Sequence, residues 1–126
     1  MRAARSAVVG GLLVALATGA GHAAASASRP PARLQVTADE FTLTVSRASI
    51  PAGAAIVELV NVGEDEHDLA LRRLGRGAVT RRIRTVQPGG VGELTARLRA
   101  GRFRLWCTLA DHRARGMSAT LVVRPA

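Results

Sequence analysis

Lysine and tyrosine are absent from this chain, and cysteine and tryptophan occur once each. A single cysteine excludes an internal disulfide, so the chain is not a disulfide-stapled scaffold. Two Phe, one Trp and no Tyr offer no stacking platform for bases. No nucleic-acid recognition motif appears either, so nucleic acid is excluded as a partner. Histidine is scarce: His22, His67 and His112 are the whole supply. That is too few for a multi-metal catalytic centre, and no hydrolase arrangement stands out. Cys107 beside His112 could serve as a nucleophile, but Met117 and the strand context argue against it. The chain is therefore read as a non-enzyme. Internal repeats, low-complexity blocks and long amphipathic helical patterns are also missing.

All 18 basic residues are arginine, against nine acidic ones, for a formal net charge of +9. The missing lysine, with abundant Ala and Gly, reads as GC-rich coding rather than selected chemistry. Arg2 and Arg5 precede an uncharged apolar run, Ala7 to Ala20. Small-x-small triplets follow at Gly21-His22-Ala23, Ala23-Ala24-Ala25 and Ala25-Ser26-Ala27. That is the layout of a secretory signal peptide, assigned to residues 1–27. The run falls short of the ~18 residues of a membrane-spanning helix, so no span is expected in the mature form. The mature domain, 28–126, has roughly 100 residues, enough for one small core. Residues 28–33, with Pro30 and Pro31, read as a linker. Without Arg2 and Arg5 the domain keeps about +7, which suits acidic partners or anionic surfaces.

Beyond the linker, apolar residues alternate with polar ones. Leu34, Val36 and Ala38 form one set, and Phe41, Leu43 and Val45 another. Ala55 to Val62, His67 to Leu74, Leu94 to Leu98, Phe103 to Cys107 and Ala119 to Val123 repeat the pattern. Period two over such lengths predicts half-buried strands. Ile50 to Gly53, Pro88 to Gly90 and Ala100-Gly101 read as turns. Val79, Ile83 and Val86 fit either a strand or a short helical turn. Seven or eight short strands broken by Gly and Pro predict an all-β, antiparallel Greek-key sandwich. On Phe103 to Cys107, the residues Phe103, Leu105 and Cys107 share one face. Arg102, Arg104 and Trp106 share the other.

The chemistry concentrates in Cys107-x4-His112-x4-Met117. A lone thiol in an exported domain is liable to oxidation unless something holds it. As a buried, inert hydrophobe it would need no partner. His112 by itself would read as a surface histidine and Met117 as core. Together, a thiolate, an imidazole and a thioether suit copper. A second imidazole completes the set, and with His22 in the leader only His67 is left.

The stretch Gly101-Arg-Phe-Arg-Leu-Trp-Cys107-x4-His112-x3-Gly116-Met117-x3-Leu121-Val-Val resembles the C-terminal pattern of cupredoxins, the small blue-copper proteins. The likeness is to sulfocyanin-like and secreted bacterial members. Asn61-x-Gly63-x3-His67-Asp68 resembles their first histidine loop, and Ser49 to Gly53 the turn before the preceding strand. The resemblance spans essentially the whole mature domain. It implies one type 1 copper ion bound by His67, Cys107 and His112, with Met117 as a long axial ligand. It implies single-electron shuttling between redox partner proteins outside the cytoplasm, periplasmic or extracellular, by a monomer. A copper carrier or store, or a metal-free interaction domain, are the alternatives. Where the family often has Asn after the first histidine, this chain has Asp68. A carboxylate there can accept hydrogen bonds from backbone N–H groups but cannot donate them. Glu64-Asp65-Glu66 reads as a solvated acidic loop or a contact for a basic partner. Trp106 reads either as a cover for apolar surface under arginines or, by the resemblance, as part of an electron route. Expressed with its leader and exported, the protein should have a new N-terminus between Ala24 and Ser28, read by intact-mass spectrometry.

Overall fold

The structure is a computed structural model and describes residues 27–126. The residues read as a signal peptide lie outside the described residues, apart from Ala27. Nine strands follow one another: β1 (Ala32–Asp39), β2 (Thr42–Val45), β3 (Ser49–Pro51), β4 (Gly53–Asn61), β5 (His67–Arg73), β6 (Thr80–Val86), β7 (Val91–Leu98), β8 (Gly101–Trp106) and β9 (Ser118–Arg124). No helix among the described residues is long and apolar enough to cross a membrane.

The strands form two sheets, ordered β2-β1-β4-β7 and β3-β9-β8-β5-β6. The chain changes sheet after β2, β3, β4, β6 and β7, so loops cross both ends of a sandwich. Alternation fixes which residues face inward. Leu34, Val36, Val57 and Leu59 of the first sheet and Leu69, Leu71, Leu105 and Leu121 of the second are all at most 1% exposed. Their apolar area, removed from water between the sheets, is the main term holding the layers together.

Three features differ from the sequence reading, and one reading left open is decided. The sandwich is not wholly antiparallel: β1 runs parallel to β4 and β3 parallel to β9. Both parallel pairs arise because β3 leaves the first sheet for the edge of the second before β4 returns. Ser49–Pro51, read as lying at a turn, is this short edge strand, and an edge tolerates the missing N–H of Pro51. The ambiguous stretch around Ile83 is a strand, with Ile83 and Val86 buried against the core. The first strand also begins at Ala32, so Ala32 and Arg33 pair with Ala55 and Ile56.

The pairing of β5 with β8 positions the chemistry. These strands are antiparallel, with Ala70 opposite Trp106 and Arg72 opposite Arg104. The start of β5, at His67, therefore lies at the same end as the end of β8, just before Cys107. Strand β9 pairs back on β8 with Ser118 opposite Trp106, which returns Met117 to that end too. Leu105, fully buried beside this junction, has no room to be lost. Leu105→Ala should cost about 2–5 kcal/mol of unfolding free energy, measured by urea titration of the metal-free domain.

Candidate metal centre

His67, Cys107 and His112 come together at the loop end of the sandwich. All three are buried, and their candidate donor atoms lie within 4.8 Å of one another. His67 Nδ1 is 3.3 Å from His112 Nδ1. Cys107 Sγ is 3.5 Å from His112 Nδ1 and 4.0 Å from His67 Nδ1. The point equidistant from these three atoms is about 2.1 Å from each, within or near the usual metal bond lengths of ~2.0–2.1 Å to imidazole and ~2.3 Å to thiolate for zinc. The triangle thus has the size that one ion requires. Met117 is fully buried. Its backbone N–H donates to the His112 carbonyl, and its own carbonyl accepts the Cys107 N–H.

The 107–117 loop is shaped by its own hydrogen bonds. His112 N–H donates to the Leu109 carbonyl, and Gly116 N–H to that of Arg113. Gly116 has φ +120°, which other residues adopt only with strain. The Phe41 ring lies against His112 at 5.1 Å between centroids, and the Arg115 guanidinium lies over the Phe41 ring.

Asp68 ties the two donor segments together, as a carboxylate there can. Its Oδ1 accepts the Thr108 N–H at 2.6 Å, and its Oδ2 accepts the Thr108 hydroxyl. Burial is the largest influence on the Cys107 thiol and raises its pKa. The N–H groups of Asp68 and Leu109 work the other way, while the Asp68 carboxylate adds to the rise. The free protein therefore holds a protonated thiol at neutral pH.

Sequence reasoning missed Glu40. Its Oε1 lies 2.7 Å from His67 Nε2. The same carboxylate accepts N–H bonds from Glu64 and Asp65, at 3.0 and 2.9 Å. Those two N–H groups, and to a smaller extent His67, lower its pKa from 4.5 to about 2. An ionised carboxylate only accepts, so Nε2 of His67 donates to it and Nδ1 is the ring nitrogen that faces the other two donors. Gly63 makes this possible, because a Cβ there would sit 2.2 Å from Glu40 Oε1. Asn61, 1% exposed, braces the same loop by donating to the Asp65 and Val86 carbonyls and accepting the Gly63 N–H. The side chains of Glu64, Asp65 and Glu66 face solvent. The only signal for Glu40 in the sequence was a glutamate next to a predicted strand, which is no signal at all.

Trp106 points to the outer face and is half-buried, with the Arg113 guanidinium 4.6 Å above its ring. Its reading as a cover beneath arginine fits that contact.

No family model and no curated protein matches the sequence. Solved structures do. Auracyanin B superposes with a TM-score of 0.62 at 20% identity, over 78% of this chain and 93% of that one. Auracyanin A, a "blue" copper protein from Chloroflexus aurantiacus, gives 0.61 at 13%, over 75% and 100%. A blue copper oxidase from Nitrosomonas europaea gives 0.57 at 16%, over 76% of this chain but 39% of its own. The chain has the cupredoxin fold. Within that cupredoxin framework the contribution of Glu40 has a defined pH window. Its lowered pKa makes its stabilising contribution complete above pH about 4.5 and lost as pH falls toward 2. Urea unfolding of the metal-free domain should show Glu40→Gln less stable than the parent at neutral pH. The gap should close across that acid window.

Proposed function

We propose that the chain is an exported, monomeric type 1 copper protein that passes single electrons between redox partners outside the cytoplasm. In this reading residues 1–27 are a signal peptide removed on export to a periplasmic or extracellular site, and 28–126 are the working domain. His67, Cys107, His112 and Met117 are the ligands. The observation that carries it is the buried triangle of two Nδ1 atoms and one Sγ, sized for one ion. Two imidazoles and a thiolate with a thioether nearby are the donor set of blue-copper sites. The likeness to auracyanin A, a "blue" copper protein, supports the same choice.

Copper bound there supplies a one-electron couple. The chain's own residues supply the rest. Glu40 fixes the tautomer and orientation of His67, as partners of ligating histidines do elsewhere. Asp68 locks the β5 start to Thr108, so the Cys107 and His67 segments move as one piece. The short hydrogen-bonded loop carries His112 and Met117. A cage held this firmly keeps its shape when charge changes, and small rearrangement favours fast electron transfer. His112, 8% exposed, is the donor nearest solvent, while His67 and Cys107 are fully buried. Electrons then exchange most readily at the edge where His112 meets Leu109 and Ala110.

An enzyme reading has little support. Multi-copper catalysis needs additional histidine clusters, and the described residues hold one such group.

Cu(II) added to the purified mature domain should give an intense blue absorption band and a narrow copper hyperfine splitting in EPR. Because the thiol is held protonated, binding should release a proton and tighten as pH rises. Cys107→Ser should abolish the colour. Colourless, weakly held copper in the parent protein would overturn the proposal. Tight Cu(I) binding without a reversible potential would move it to a carrier.

A further inference from the structure

Charge is divided unevenly between the two sheets. The five strands of the β3-β9-β8-β5-β6 sheet carry eight arginines and a single carboxylate, Asp68. Asp68 is 8% exposed and is occupied by Thr108. The other sheet carries two arginines and three carboxylates. Register concentrates the imbalance on the outer face. Arg82 and Trp106 flank Ala70 in one row, and Arg72 pairs with Arg104 in the next. Arg72, Arg82, Arg84, Arg102 and Arg104 are all exposed. None of them forms an ion pair among the described residues, where the one arginine–carboxylate pair is Arg33–Glu58. Between the rows lies a shallow depression lined by Arg72, Arg73, Leu74, Arg104, Trp106 and Arg113.

Like charges crowded on one face repel, and folding gains nothing from placing them together. Their forks match carboxylates in pairs of parallel hydrogen bonds. The depression is concave, so projecting carboxylate side chains can enter it. Leu74, 50% exposed and part of its lining, adds apolar contact. A stacked base would need the Trp106 ring, which Arg113 already covers. A membrane surface would need a projecting apolar side chain at the centre, where the half-buried Trp106 lies beneath Arg113 instead.

We infer that the outer face of the five-stranded sheet, centred on Trp106, is a docking surface for the acidic face of a partner protein. The inference goes beyond the copper reading and does not require it, since the face exists in the metal-free chain.

The test is a 15N–1H NMR titration of the metal-free chain with an oligoglutamate peptide at low salt, repeated on the Cu(I) form. Shift changes should centre on Arg72, Arg104, Arg113 and Trp106, including its indole N–H, and should fade as salt is added. Arg72→Glu with Arg104→Glu should weaken peptide binding by about tenfold or more. Arg33→Glu with Arg97→Glu, on the other sheet, makes the same change in net charge and should weaken it less than about twofold. The NMR spectrum of each variant reports whether it is folded. Equal losses from the two pairs would overturn the inference, because net charge alone would then explain binding. So would shifts confined to other surfaces, or binding to phosphatidylglycerol vesicles with none to the peptide. If added Cu(II) stays colourless and weakly held while the peptide still binds this face, the electron-transfer reading falls and this one stands.

Discussion

Hydrogen bonding between β5 and β8 brings the start of one strand and the end of the other to the same pole of the sandwich. His67 and Cys107, forty residues apart in sequence, meet only because of that register. A slip of β8 by one residue would turn Phe103 and Leu105 outward and carry Cys107 to the wrong face. The core and the metal centre therefore share one constraint. The apolar alternation that buries the leucines also aims the sulfur inward.

Around that junction the polar groups are arranged so that the buried donors keep their lone pairs. Each stray hydrogen-bonding possibility is taken up by a fixed partner. Glu40 occupies Nε2 of His67, Asp68 occupies Thr108, and Asn61 with Gly63 shapes the loop that receives Glu40. No buried side-chain nitrogen or oxygen among the described residues lacks a partner. This is preorganisation in a physical sense: the contacts that set the geometry leave both Nδ1 atoms and the Sγ out. The thiol is the exception, because burial favours its protonated form and an ion must displace that proton.

Three residues that the fold gathers at one end, His67, Cys107 and His112, and most of the strands were legible in the sequence, for a simple reason. Ligand identity is a matter of residue type, and strand faces follow from period two. The sequence also showed that Asp68 could accept backbone N–H groups, which depends on side-chain chemistry alone. Glu40 was invisible because it approaches His67 through the fold, from a turn between β1 and β2 that has no motif. Strand β3 was hidden by its length of three residues and by Pro51, which resembles turn chemistry. The parallel pairs β1–β4 and β3–β9 follow from which sheet each short strand joins, and alternation carries no information on that. The arginine face was equally hidden. The residues are scattered over three strands, β5, β6 and β8, and only their pairing gathers them on one side.

The central claim is that one ion sits among the two Nδ1 atoms and the Sγ at the end of β5 and β8. X-ray absorption at the copper edge of the loaded protein tests it most directly, because it identifies the atoms bound to the metal. One sulfur and two imidazole nitrogens at bonding distance are expected. A shell of oxygen and nitrogen alone, or a single imidazole, would contradict the account.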